Sequence, residues 1–152
     1  MKERLEKELK QAMKNQDAFK LSLLRMLVAS LRNREIEKRG KTQSSALTEE
    51  EVMAVLRTEA KKRRDSIEAF TKGKRDDLAL QEERELEIIT TYLPPELSDE
   101  EVVGVVRMVC ARMGPVNEKD FGRVMGAVMK ELGGRAAGER VSVCVKDALS
   151  SL

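Results

Sequence analysis

Anion-binding residue types concentrate near the C-terminal end of the chain. Gly133, Gly134 and Gly138 fall within six residues, with Arg135 among them and Arg140 two positions beyond. Backbone without Cβ atoms lets N–H groups come close to phosphate oxygens, and Arg123, Lys130, Arg135 and Arg140 would supply the positive charge. The chemistry implied is electrostatic recognition of a polyanion, not bond making. The same glycines and arginines also suit a tight corner between two helices, so residue types alone leave both readings open.

A second basic group is Lys62, Arg63 and Arg64, preceded by Lys61. Consecutive cations fan around a helix, which fits a solvated face. Joined by Lys72, Lys74 and Arg75 around Gly73, they would form a phosphate-contacting patch. Glu59 and Arg63 stand at i,i+4 where the apolar stripe of Val52, Val55 and Leu56 should continue towards Ile67 and Phe70. They are either an ion pair covering a helix interface or the wall of a polar groove.

Ingredients for catalysis are sparse. The 152 residues contain no histidine, which removes the commonest general base and the commonest zinc ligand. Cys110 and Cys144 each sit in an apolar helical pattern and read as packed free thiols, with a disulfide or a reactive thiol as the alternative. Covalent catalysis needs an activated nucleophile, and ATP use needs a phosphate cradle. No glycine loop ends in Lys-Ser or Lys-Thr, and Ser44-Ser45 lies in a polar stretch without the glycine context of a nucleophilic serine. The reading is a protein that is not catalytic by itself, with no cofactor and no metal.

The elements that must position these residues are all helical. Charged residues make up 37% and aromatics 3% of the chain, and no strand pattern competes anywhere. Leu5, Leu9, Ala12 and Met13 mark a first amphipathic helix ending near Asn15. Asp17 caps a second, with Leu21, Leu24, Val28 and Leu31 inside, running to a stop at Gly40. Thr48 with Glu51 makes a capping box for the third. Asp76 caps a fourth, carrying Leu78, Leu86, Ile89 and Leu93, and Pro94-Pro95 ends it. Ser98 with Glu101 is a second capping box, opening a helix with Val102, Val105, Val106, Val109 and Met113 that stops at Gly114-Pro115.

Asn117 with Asp120 then starts a helix whose Phe121, Val124, Met125, Val128, Met129 and Leu132 share one face. Gly122 and Gly126 cost that helix roughly 1 kcal/mol each relative to alanine, which suggests close approach by another helix or a ligand. The last helix, from about Glu139, buries Val141, Val145, Ala148, Leu149 and Leu152. The expected fold is all-α: a helical domain of about four helices over 1–95, then a three-helix domain over 96–152.

Net charge is +2, from 29 Lys and Arg against 27 Asp and Glu. Through Pro95 there are 21 basic and 18 acidic residues, and 8 and 9 beyond it. Nucleic-acid binding would therefore come from local clusters and not from overall charge. No apolar run approaches the ~18 residues of a membrane span. The charged N-terminus lacks the apolar core of a secretion signal, so a cytoplasmic location is expected.

The run Gly122-Arg123-Val124-Met125-Gly126-Ala127-Val128-Met129-Lys130, followed by Gly134-Arg135-Ala136, resembles the tail of the B subunit of glutamine-dependent aminoacyl-tRNA amidotransferases. It resembles still more the small bacterial-type YqeY proteins that share this tail. Lys62-Arg63-Arg64-Asp65-Ser66-Ile67-Glu68-Ala69-Phe70 is similar to that family's most recognisable segment. Gly73, Arg75, Asp77-Leu78, Glu83 and Tyr92-Leu93-Pro94 follow in the family's order, so the likeness covers essentially the whole chain. Members often carry Gly-Arg-Ala-Asp-Gly where this chain has Gly134-Arg135-Ala136-Ala137-Gly138, so a possible cap of the last helix is missing.

The resemblance implies a helical N-terminal domain and a tail that contacts tRNA, with no domain for the ammonia-dependent chemistry itself. The carbon–nitrogen ligase label attached to the family reads as inherited from the shared tail. Implied partners are tRNA and an amidotransferase or aminoacyl-tRNA synthetase complex, without a membrane. The alternative is a helical protein–protein adaptor that binds no RNA, docking through the N-terminal domain.

Overall fold

In the computed structural model, which describes residues 1–151, the chain is all-helical and divides into two compact units, the first from Met1 to Leu93 and the second beginning at Pro94. No strand occurs among the described residues, and no helix is long and apolar enough to cross a membrane.

The first unit has four helices: α1 (Lys2–Lys14), α2 (Ala18–Lys41), α3 (Glu49–Lys72) and α4 (Asp76–Thr90). In α1, Leu5 and Ala12 are buried and Leu9 packs beside them, but Met13 is 53% exposed and does not belong to the buried stripe. Asp17 caps α2 as expected, its carboxylate accepting from the Lys20 N–H. Leu23, Leu24, Leu27, Val28 and Leu31 then bury a broad stripe. Gly40 does not stop α2. The helix runs to Lys41, and the Thr42 N–H and hydroxyl both donate to the Lys38 carbonyl. The Thr48–Glu51 capping box forms in both directions and opens α3.

Residues 73–75 link α3 to α4. Gly73 keeps an ordinary φ of −79°, and Lys74 instead takes the left-handed conformation at φ 55°. A side chain there costs about 1–2 kcal/mol. Arg75, not Asp76, occupies the N-cap position of α4, and no side chain caps it. Asp76 is the first helical residue, where its charge suits the helix dipole without capping. Leu5, Leu24, Leu27, Leu31, Leu56 and Ile89 are fully buried at the centre of the unit.

The second unit has three helices: α5 (Asp99–Met113), α6 (Phe121–Leu132) and α7 (Gly138–Ser150). The Ser98–Glu101 box opens α5, and an Asn117–Asp120 box opens the 3₁₀ turn Glu118–Asp120 that leads into α6. Each helix sends three residues inward: Val102, Val106 and Val109 from α5, Val124, Val128 and Leu132 from α6, and Val141, Val145 and Leu149 from α7. These spacings of three and four keep each trio on one stripe. Leu152, expected on the buried face of α7, lies outside the described residues.

Gly122 and Gly126 correct an expectation. Both are exposed, and a Cβ on either would meet nothing within 4 Å, so no helix approaches them closely. Each lies two positions from buried Val124, about 200° around the helix, and therefore faces away from the core.

Candidate nucleic-acid interface

The glycine-rich segment joins α6 to α7. Gly133 ends α6 in the left-handed conformation at φ 57°, and Gly134 follows at φ 78°. Two successive positive φ angles are cheap only for glycine, and they reverse the chain within a few residues. The Arg135 N–H then donates to Leu132 O, while Arg135 O accepts from the Leu97 N–H at 2.8 Å. Ala136 is buried, which pins the middle of the loop to the core.

Ala137 is the N-cap of α7, in an extended conformation, and no side chain caps the helix. Gly138 opens α7, exposed and with no atom near the place of a Cβ. The first N–H groups of a helix lack intrahelical acceptors and carry the positive end of its dipole. Here they open from an exposed loop.

The basic residues around this loop divide into two kinds. Lys130 and Arg135 are exposed and form no ion pair or side-chain hydrogen bond among the described residues, Arg135 acting on Glu101 only through space. Arg123 pairs with Asp120 at 3.2 Å. Arg140 is engaged more heavily. It donates to Asp99 Oδ1 from Nε at 3.0 Å and Nη2 at 2.8 Å, to Glu96 Oε2 at 3.3 Å and to Leu97 O at 2.8 Å. Arg140 thus ties the start of α7 to the segment leading into α5.

Lys62, Arg63 and Arg64 belong to the first unit. Lys62 and Arg64 are exposed on α3, and Lys62 donates to Glu59 at 2.9 Å. Arg63 turns inward. Its guanidinium meets Glu59 at 3.3 Å, Glu85 at 2.8 Å and Glu82 at 3.6 Å, and Nη2 lies 3.6 Å from the Met26 sulfur. Glu59, 4% exposed, also accepts from the Ser30 hydroxyl at 3.2 Å. Of the two readings of Glu59 and Arg63, the ion pair is the one formed, joining α2, α3 and α4. Burial raises the Glu82 carboxyl above its ordinary value, the Glu85 charge adds to this, and Arg63 opposes it.

The second unit also holds a groove that sequence reasoning missed. It encloses about 640 Å³ between α5 and α7, with Val103, Arg107 and Cys110 on one side and Cys144, Asp147 and Ala148 on the other. Both cysteines are free and half-buried. Burial pushes the Cys144 thiol up, as do the Asp99 and Asp147 charges, which is the opposite of activation. The groove has no local signature, because its walls are brought together only by packing of α5 on α7.

The family model described as Yqey-like protein matches residues 2–149. A Candida glabrata protein named "Altered inheritance of mitochondria protein 41, mitochondrial" is 36% identical over 89 residues, which are 59% of this chain and 47% of that protein. The chain thus matches about half the length of that relative. The Clavispora lusitaniae protein of the same name is 32% identical over 130 residues, 84% of this chain and 71% of its own length. The Pyrenophora tritici-repentis one is 27% identical over 151 residues, 97% and 80% respectively. With nearly every residue inside the family match, this chain belongs to the Yqey-like family.

Proposed function

We propose that this protein is a tRNA-associated accessory protein, and that its second unit holds RNA phosphates on the segment Lys130–Gly138. One observation carries the reading: the uncapped, exposed N-terminus of α7 follows Lys130 and Arg135 within one short segment, and neither cation forms an ion pair among the described residues. Backbone N–H groups at a helix start and unpaired cations together make a phosphate site. Arg123 and Arg140 contribute to the positive field although acids hold them. The likeness to the amidotransferase tail supports tRNA as the RNA, with an amidotransferase or synthetase complex as the setting.

Binding of purified tRNA across a salt series tests this, comparing wild type with Lys130→Ala/Arg135→Ala. The expected result is micromolar or tighter binding that falls steeply with salt and is lost in the double variant. No binding at low salt would overturn the reading.

The α5/α7 groove favours a second reading, a protein adaptor. Its walls combine valine and alanine surface with Arg107 and Asp147, a mixture that suits a side chain or helix of a partner. Recovery of a defined protein complex that resists nuclease, with no tRNA binding, would select it.

A further inference from the structure

Three arginines on the outer side of α2 stand seven residues apart: Arg25, Arg32 and Arg39. Seven residues are two helical turns less about 20°, so the three form one stripe with a step of about 10.5 Å. All three are exposed, as are Ser22, Ala29 and Ile36, which fall between them on the same face. None of the three arginines forms an ion pair or side-chain hydrogen bond among the described residues.

Their neighbours on the helix behave differently. Lys20 pairs with Glu8, Arg34 with Glu37 and Lys38 with Glu51. The two acids of α2 are also taken, Glu35 by Lys2 and Glu37 by Arg34. The stripe is therefore a row of unneutralised guanidinium groups about 21 Å long, on a helix whose other charges within its span are mostly matched.

We infer that this stripe is a second RNA contact, reading phosphates of the backbone from the first unit. The inference rests on the RNA-binding reading above and adds a site to it. Arginine presents a planar donor fork that matches phosphate oxygens two at a time. Ser22 and Ala29 are small enough for a sugar–phosphate chain to approach the helix axis. The other occupant such spacing suits, a partner helix in heptad register, needs apolar residues along the seam. Only Ile36 among the six is large and apolar, so a polyanion fits better than a helix.

The test uses the full chain and tRNA as the probe in a salt series. The variant is Arg25→Gln/Arg32→Gln/Arg39→Gln. A charge-matched control, Arg4→Gln/Arg34→Gln/Arg112→Gln, removes three exposed cations that already have acidic partners and lie outside both candidate basic clusters. The stripe variant is expected to lose at least about tenfold in affinity and to flatten the log–log salt slope by about 2–3, with the control close to wild type. Equal loss in both variants overturns the stripe and leaves the α7 site standing. Loss in the stripe variant with none in Lys130→Ala/Arg135→Ala does the reverse. No binding by wild type at low salt overturns both. Polyglutamate competing as well as tRNA, mass for mass, overturns the assignment to a nucleic-acid backbone.

Discussion

Arg140 grips Asp99 with two nitrogens, Nε at 3.0 Å and Nη2 at 2.8 Å, and so fastens the first turn of α7 to the first turn of α5. Only a guanidinium can do this while also reaching Leu97 O, because a lysine has one nitrogen. Arg140→Lys is therefore expected to lower the urea midpoint of the second unit with an unchanged m-value, and Arg140→Ala no further than slightly beyond it. A lysine variant as stable as wild type would show that net charge alone matters here.

The Arg63 network predicts a larger effect with a pH signature. Replacing Arg63 by methionine leaves Glu59, Glu82 and Glu85 facing one another without a cation among them, apart from the exposed Lys62 contact to Glu59. Breaking a mostly buried ion pair this way is expected to cost about 3 kcal/mol at neutral pH. Glu82 already sits above its ordinary value of 4.5 because of burial and Glu85, with Arg63 pulling the other way. A carboxyl raised in the folded state destabilises at neutral pH, and that penalty is relieved as pH falls through its folded value towards 4.5. Removing Arg63 enlarges the penalty, so the deficit of Arg63→Met should shrink between pH 7 and pH 5. Denaturant unfolding at both pH values checks this, and a constant deficit would contradict it.

Tyr92 and Glu8 give the opposite sign. Tyr92, 3% exposed, donates its hydroxyl to Glu8, and Arg4 lies 4.9 Å from the centre of the ring. Burial works against the Glu8 charge, yet hydrogen bonds from Tyr92 and Arg4 and the charges of Lys20 and Arg4 hold its carboxyl below 4.5. A depressed carboxyl contributes stability above its unfolded value and loses it as pH falls through the folded one. Tyr92→Phe keeps the ring under Arg4 and deletes only the hydroxyl. It should cost about 1.5 kcal/mol at pH 7, with the difference narrowing in acid as Glu8 protonates. A thermal-unfolding series from pH 7 downwards reads this directly.

What could be read from the chain in advance divides by range. The boxes at Thr48–Glu51 and Ser98–Glu101 need only residues three apart, so their sequence signature and their geometry coincide. The apolar stripes of α5, α6 and α7 were legible for the same reason: a period of 3.6 names the inward face before any partner is known. Asp76 failed as a cap because the left-handed turn at Lys74 places Arg75 at the helix boundary, one residue earlier than composition suggests. Gly122 and Gly126 draw no neighbouring helix, because a glycine's cost has no direction in it and theirs faces solvent. Arg63 and Arg64 are adjacent in sequence but differ in burial, since neighbours on a helix point 100° apart. The groove holding Cys110 and Cys144 required knowing that α5 packs on α7, which no local pattern states.

The loop before α7 joins stability to binding in one residue. Ala137 has the extended backbone of an N-cap, and its carbonyl accepts from the Val141 N–H, but it has no side-chain oxygen to accept from the earlier N–H groups of the helix. Ala137→Asp would supply that acceptor and place a negative charge at the positive end of the dipole, for about 1 kcal/mol of added stability. The same carboxylate would occupy the N–H groups assigned above to RNA phosphate and repel the phosphate itself. The variant is therefore expected to melt higher and to bind tRNA more weakly than wild type, a combination that damage to the fold would not produce. A higher melting temperature with unchanged tRNA affinity would mean that the phosphate does not sit at the start of α7, and would leave Lys130 and Arg135 as the only contacts of this segment to test.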